Sequence, residues 1–279
     1  MSELKFTGER LVPGVFGKIA VEHLHRYAIC LDFVKGKKVL DIASGEGYGS
    51  NFLSKSAQEV VGVDISQIAV DHAQKNYSSK NLSFQVGSIL DIPCEPDVFD
   101  VVVSFETIEH ISEHRKMIAE VKRVLKPDGL LIISTPEKAV YSDQVNYSNP
   151  YHEKELYEEE FVQILSEEFQ FIQLGYQKFL SGSYIQVPNS INNQVKFFGG
   201  DFKEIHQHKD LNQEYLIAIC SNSQLEQNFT TTFFSAEDLE KNEMEHLISS
   251  RVKKFKSGFR YRLADILFKP WDILKDVLR

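Results

Sequence analysis

Lys38-Val-Leu-Asp-Ile-Ala-Ser-Gly-Glu-Gly-Tyr-Gly49 is the stretch that decides the fold of this chain. A short aliphatic run ends in an acid, Asp41, and passes through Ala43 into three closely spaced glycines, Gly45, Gly47 and Gly49. Glycine is needed where the backbone takes positive φ or lies against a ligand, and the first turn of a following helix offers N–H groups that have no intrahelical partner. The segment therefore reads as strand, tight turn and helix start, with a nucleotide-like ligand on the turn. Dinucleotide enzymes use a similar turn to hold a pyrophosphate at the helix start, so the glycines alone leave the ligand open.

Glu59-Val-Val-Gly-Val-Asp-Ile65 supplies the discriminating acid, because it reads as a second strand with Asp64 at its carboxyl end. Asp41 and Asp64 at the ends of adjacent strands suit a ligand with an amine at one end and a ribose diol further along, and Asp41 would repel a pyrophosphate. Around this pair the hydrophobic period keeps changing. A helix is expected from about Ile19 to Phe33 and another after Gly47; a third runs from Ser66 to about Tyr77, a fourth over about 112–125 and a fifth over about 155–168. Strands are expected at 82–88, 99–105 and 130–135, with a later edge at about 170–177 and 214–221. Such alternation gives a parallel sheet covered by helices on both faces. Lys126-Pro-Asp-Gly129 reads as a turn that stops a helix and restarts a strand.

Four motifs in this order, Val39-Leu-Asp-Ile-Ala-Ser-Gly-Glu-Gly47, Val63-Asp64, Phe99-Asp-Val-Val-Val-Ser-Phe-Glu106 and Leu125-Lys-Pro-Asp-Gly-Leu-Leu-Ile-Ile-Ser-Thr-Pro136, resemble the class I S-adenosylmethionine-dependent methyltransferases over about residues 36–136. The resemblance implies an α/β fold: a Rossmann-like, mostly parallel seven-stranded sheet with helices on both faces, here with a C-terminal helical appendage. It divides the chain into a cofactor-covering segment (1–35), a methyltransferase domain (36–225) and a helical tail (235–279). It also implies S-adenosyl-L-methionine as cofactor, bound by Arg26, Asp41, Ala43, Gly45, Gly47, Asp64, Ile65, Ser88, Ile89, Phe105 and Glu106. Asp64 would take the ribose, and Arg26 the methionine carboxylate through its planar fork, the alternative being an ordinary helix-surface arginine. The chain departs from the family at two positions: the first motif glycine is Ala43, and the acid often found after the third strand is Ser88.

Chemistry is expected at Phe105-Glu-Thr-Ile-Glu-His110, which follows the fourth strand. At helical spacing Glu106 shares a face with Glu109 and His110. In one reading His110, with Glu109 beside it, is a general base for a hydroxyl that attacks the methyl group; an imidazole with an unperturbed pKa of about 6.5 suits that task. In another, Glu106, Glu109 and His110 bind Mg²⁺ or Zn²⁺ and acidify a coordinated hydroxyl; the run resembles the metal motif of ubiquinone-pathway O-methyltransferases and of small-RNA 3′-end methyltransferases. A third reading is structural, with acids placed for the helix dipole and a packed histidine. His23 and His25 read as packed residues of the first helix.

A wider pattern joins Thr7-Gly-Glu-Arg10, Glu22-His-Leu-His-Arg-Tyr27, Val103-Ser-Phe-Glu-Thr-Ile-Glu-His-Ile111 and Asn149-Pro-Tyr-His-Glu-Lys-Glu-Leu156. It resembles methyltransferases of bacterial surface-polysaccharide (O-antigen) biosynthesis, which implies a saccharide or other small or lipid-linked acceptor methylated on a sugar hydroxyl or terminal phosphate. A quinone or phenol O-methyltransferase would share the acid–histidine run with a more apolar 137–213 region. An RNA 3′-end 2′-O-methyltransferase needs a basic groove, and a formal net charge of −9 argues against nucleic acid. A non-enzymatic scaffold is the remaining alternative.

The 279 residues suffice for one α/β core and an appendage. Cys30, Cys94 and Cys220 have no paired or metal-ligand spacing and favour a reducing compartment. The start lacks an apolar leader, so a cytoplasmic protein is expected. From 251 to 279 nine basic residues face three acids, and Phe255, Phe259, Leu263, Ile266 and Leu267 recur at helical spacing. This basic amphipathic tail is expected to contact the inner face of a membrane or a partner, to pack on its own domain, or to pair in a homo-oligomer.

Overall fold

The computed structural model describes residues 10–182, 196–207, 211–225 and 230–257. By contacts the chain divides into two units, Met1–Phe233 and Phe234–Arg279. The first is built on a seven-stranded sheet whose strands are β1 (Lys38–Ile42), β2 (Glu59–Asp64), β3 (Leu82–Val86), β4 (Phe99–Phe105), β5 (Leu125–Pro136), β6 (Phe171–Gln177) and β9 (Tyr215–Ser221). A separate hairpin, β7 (Phe198–Gly200) and β8 (Ile205–Gln207), lies in the long connection before β9. The sheet order is β3-β2-β1-β4-β5-β9-β6, with β9 antiparallel to both neighbours and the other pairs parallel.

Side-chain alternation explains the two helical layers. Leu40, Ile42, Val102, Leu131 and Ile133 face one side, where α4 (His114–Val124) and α5 (Glu158–Ser166) contribute Met117, Ile118, Val121, Phe161 and Leu165. Val39, Val101, Val103, Ile132 and Ile219 face the other, against Ile29, Cys30 and Phe33 of α1 (Lys18–Val34) and Leu53 of α2 (Tyr48–Ser54). Buried on both faces, the central strands read as continuous apolar runs. The helix α3 (Gln67–Asn76) starts where expected, with the Ser66 hydroxyl accepting the Ala69 N–H at 3.3 Å.

Two expectations are corrected here. The Lys126-Pro-Asp-Gly turn does not precede the strand but lies within it: Leu125 already pairs with Phe99, and the register shifts before Leu130 meets Val101. Pairing on both sides of the turn accommodates it as a bulge. After β4 no α-helical turn forms at Glu106; a short 3₁₀ turn covers only Ile108–His110. The loop after β5 contains a π-helical turn, Ala139–Asp143, and Glu137 bridges to Leu156 at its base.

The second unit contains α6 (Glu237–Ser257), with exposed Met244, Leu247, Ile248 and Val252. The apolar positions Phe259, Leu263, Ile266 and Leu267 lie outside the described residues. No described helix is long and apolar enough to cross a membrane.

Candidate active site

The order of β2, β1 and β4 reverses the chain's progression across the sheet between β1 and β4, and in open α/β sheets ligands bind beyond the carboxyl ends of the strands at such a point. The glycine-rich loop sits there. Gly45 and Gly47 take φ of 57° and 95°, and Ala43, at φ 59°, occupies the left-handed region with a Cβ. An L-residue there costs about 1–2 kcal/mol, so Ala43 is strained where a glycine would not be. A Cβ on Gly47 would come within 2.7 Å of the Ala73 Cβ, which fixes the identity of that residue sterically.

Asp64 ties this loop to its neighbours: one carboxylate oxygen accepts the Gly45 N–H at 2.8 Å, the other accepts the Ser66 N–H at 2.9 Å. Arg10 lies 3.6 Å from the same carboxylate and packs beside Gly45. Ile65, next in the chain, is 76% exposed, a large apolar side chain presented beside the loop. Ser88 and Ile89, both half-buried, follow β3, and the Ser88 hydroxyl accepts the Leu90 N–H at 3.1 Å. Asp41, by contrast, is sealed in beneath the loop. Its carboxylate accepts hydrogen bonds from Ser50 (2.6 Å) and Tyr27 (3.3 Å), and burial pushes its pKa up to about 7 against these two donors.

Glu46, inside the glycine-rich motif, is a positioning residue that motif reading passed over. Buried to 4% exposure, it accepts from the Tyr77 hydroxyl at 2.7 Å and pairs with His72 Nε2 at 2.9 Å, pinning the loop to α3. The polar pair His72 and Tyr77 on an otherwise amphipathic helix was the available signal.

Arg26 is not a surface residue. It is 1% exposed, its Nε donates to Gln177 Oε1 at 2.8 Å, and its guanidinium covers the Tyr215 ring at 4.4 Å from the centroid. Glu106 Oε2 lies 3.6 Å from Nη2, too far for a hydrogen bond under ordinary geometry, and both Nη atoms are buried without a hydrogen-bond partner. Buried polar groups of a fold are nearly always hydrogen-bonded, so two guanidinium nitrogens without a partner stand out. Glu22, one turn earlier in α1, is also buried, and burial pushes its pKa up to about 7 in spite of Lys18 and Arg26.

The acid–histidine run is divided between two places. Glu106 takes φ 48°, which turns it toward Arg26 and toward Ser134, whose hydroxyl donates to Glu106 Oε1 at 2.6 Å. Phe105, just before it, is buried edge-on against Tyr27. Glu109 points elsewhere. Thr135 donates to its Oε2 at 3.0 Å, its Oε1 is buried with no hydrogen-bond partner, and burial together with the Glu106 charge holds its pKa well above the usual carboxylate range. Glu106, Glu109 and His110 therefore do not share one face, because the left-handed residue and the 3₁₀ turn replace the helical spacing assumed from sequence.

His152 takes the place that Glu106 leaves. One ligand atom each from Glu109, His110 and His152 lie within 4.8 Å of one another, and the two imidazoles meet edge to face with centroids 5.1 Å apart. His110 Nδ1 is 2.9 Å from the Tyr151 carbonyl oxygen, which can only accept, so Nδ1 carries a proton and donates. His152 Nδ1 likewise faces Glu155 Oε1 at 2.6 Å, and its Nε2 accepts from Asn149 at 2.9 Å. The main chain brings this loop in: the Glu109 carbonyl accepts the N–H groups of Glu153 and Lys154 at 2.9 and 3.0 Å. His23 and His25 are packed residues; burial lowers the pKa of both, that of His23 to about 3.

Residues 33–177 match the family model described as a methyltransferase domain. A probable S-adenosylmethionine-dependent methyltransferase of Mycolicibacterium smegmatis is 31% identical over 167 residues, 59% of this chain and 64% of that protein, so the chain spans under two thirds of its length. A ubiquinone biosynthesis O-methyltransferase of Actinobacillus pleuropneumoniae is 34% identical over 107 residues, 36% of this chain and 46% of that protein. Among solved structures, a chain from the complex between the Haloferax volcanii Trm112 methyltransferase activator and a methyltransferase aligns with a TM-score of 0.53 at 18% identity, over 75% of this chain and 91% of that one, a likeness of fold.

Proposed function

We propose, from the premise that this chain belongs to the methyltransferase-domain family, that it is an enzyme transferring the methyl group of S-adenosylmethionine to an oxygen acceptor, a sugar hydroxyl or terminal phosphate of a bacterial surface polysaccharide or its precursor. The observation that carries the cofactor part is the buried Arg26 guanidinium with two unmet donors, facing the same strand ends as the positive-φ glycine loop. When bound, the cofactor supplies an activated methyl group, and alignment of acceptor and methyl accounts for much of the rate in such reactions. Arg26 would hold its carboxylate, Asp64 its ribose, and Ile65 with Ile89 the faces of its base. His110, anchored through Nδ1 on the Tyr151 carbonyl, would take the proton of an acceptor hydroxyl at Nε2, with Glu109 beside it. Titration calorimetry with S-adenosylmethionine tests the reading: Asp64→Ala is expected to weaken binding about tenfold or more, as loss of charge-assisted hydrogen bonds does. Wild-type affinity in that variant would remove the ribose assignment.

The Glu109–His110–His152 group favours a second reading, in which these three residues would hold a divalent cation that would acidify an acceptor hydroxyl. The fit is good, since metal-bound histidines present one nitrogen to the ion and anchor the other on a carboxylate or carbonyl, here Glu155 and the Tyr151 carbonyl. Asn149 would have to release His152 Nε2. Under the metal reading, a chelator abolishes turnover, added Zn²⁺ or Mg²⁺ restores it, and His152→Ala resists rescue. Under the base reading, chelation leaves the rate unchanged and His110→Ala lowers kcat with little change in cofactor affinity.

A further inference from the structure

Beyond the carboxyl end of β5, a cavity of about 560 Å³ opens next to the site just described. That is within the range of roughly 300–1,000 Å³ usual for small-molecule sites. Its walls come from four places that the sheet register brings together: Lys18 at the start of α1, Tyr141, Gln144 and Tyr147 from the π-helical turn and the turn after it, Lys178 just past β6, and Glu214 just before β9. Pro136, Tyr215 and Gln177 are direct cross-strand partners, which sets these segments side by side.

Tyr141 is the wall shared with the candidate active site. Its ring stacks on His152 with centroids 5.7 Å apart and an interplanar angle of 24°, and leans on Tyr215, the ring beneath the Arg26 guanidinium, at 5.9 Å. A ligand against the other side of Tyr141 therefore lies one ring away from the His110–His152 pair. Tyr147, half exposed, meets Tyr141 edge to face at 6.1 Å and extends the aromatic surface to the lip.

The two lysines differ in how their charge is met. Lys18 pairs with Glu214 and lies 3.7 Å from Glu22. The Lys178 ammonium donates to the main-chain carbonyls of Leu211 and, at 3.0 Å, of Asn212, and among the described residues it has no carboxylate partner. An ammonium has three donors, so one remains for a ligand, and its charge is answered only by dipoles. Val140 and Val145 add apolar wall; against it the Gln144 amide and the Lys178 charge, which has no carboxylate partner among the described residues, favour a ring that carries hydroxyls and a negative group over a neutral apolar one.

We infer that this cavity is the acceptor subsite and that it binds an anionic, polyhydroxylated ligand, stacked on Tyr141 and Tyr147 with its negative group on Lys178. The inference rests on the reading of the chain as a methyltransferase and adds to it which residues select the acceptor. Lys178 and Tyr147 are specificity residues; neither touches the groups assigned to the cofactor.

Saturation-transfer NMR on the full chain tests it, with α-glucosyl phosphate, glucuronate, glucose and catechol as probes and cofactor affinity measured in parallel by calorimetry. The two anionic sugars are expected to bind about tenfold or more tighter than glucose, one charge-assisted hydrogen bond being the difference. Lys178→Gln should bring them to the level of glucose, Lys178→Arg should restore them, and Tyr147→Ala, at an exposed position, should weaken all three sugars. Binding of α-glucosyl phosphate alone, or of glucuronate alone, identifies the anion as phosphoryl or carboxylate. Equal binding of glucose, preference for catechol, or indifference to both Lys178 variants overturns the inference. Failure of the unaltered chain to bind S-adenosylmethionine would instead overturn the reading on which it rests.

Discussion

Arg26→Ala is expected to abolish measurable S-adenosylmethionine binding and to lower the melting temperature of the protein at the same time. The side chain is 1% exposed and stands among three acids, Glu106 at 3.6 Å and, at longer range, Glu22 and Glu109, whose pKa values its charge lowers. Removing one partner from a buried set of charges costs about 3–5 kcal/mol, because Glu106 loses its cation and the Glu22 and Glu109 acids lose the charge that opposes their burial. That is a large share of a total stability of roughly 5–15 kcal/mol. Arg26→Lys separates the two effects. It keeps the charge and so most of the stability, but it loses the planar fork and the cover over Tyr215, so cofactor affinity should remain low while the melting temperature recovers. Calorimetry and thermal unfolding on both variants decide the matter. Unchanged affinity in Arg26→Ala would show that the unmet Nη donors do not face the cofactor.

Asp41→Asn is expected to stabilise the protein at high pH and to do so less and less as pH falls. Burial raises the Asp41 pKa from 3.8 to about 7, so between those values the folded state keeps a proton that the unfolded chain has released. Stability contributed by this group is complete below about pH 4 and is lost as pH rises through about 7. Asparagine has no such proton, yet it retains an acceptor for Ser50 or Tyr27. The variant's advantage over the parent should therefore grow between pH 5 and pH 8 by about 2 kcal/mol or more, given about 1.4 kcal/mol per pKa unit. Glu22, also raised to about 7, adds its own pH dependence to both proteins and cancels in the comparison. Denaturant unfolding at the two pH values provides the measurement, and a difference that does not change with pH would mean that Asp41 is ionised in the fold.

Much of the fold was legible because its signals are local. Strands buried on both faces are runs of valine, isoleucine and leucine, the turns between them hold glycine, and Ser66 caps α3 where that helix was expected to start. The place of Asp64 could be read in the same way, since it ends its strand by the chain's own geometry. What misled was the assumption that regular spacing continues past a strand. Nothing in Phe105-Glu-Thr-Ile announces a left-handed glutamate, and its φ of 48° is held by Ser134, a neighbour on another strand whose carbonyl also accepts the Glu106 N–H at 3.2 Å.

By itself, then, the sequence determined the order of the elements, the glycine loop and the carboxylate beside it, all set by residues within a few positions of one another. The tertiary structure decided which groups meet. His152 stands 42 positions after His110 and reaches it because the loop hangs on the Glu109 carbonyl, and Gln177 and Tyr215 reach Arg26 because β6 and β9 pair antiparallel at the sheet edge. Hydrophobic period reports only which side of an element is buried. Which distant elements meet depends on long-range packing, and strand register together with the loop contacts places a histidine, an arginine and two tyrosines around one site.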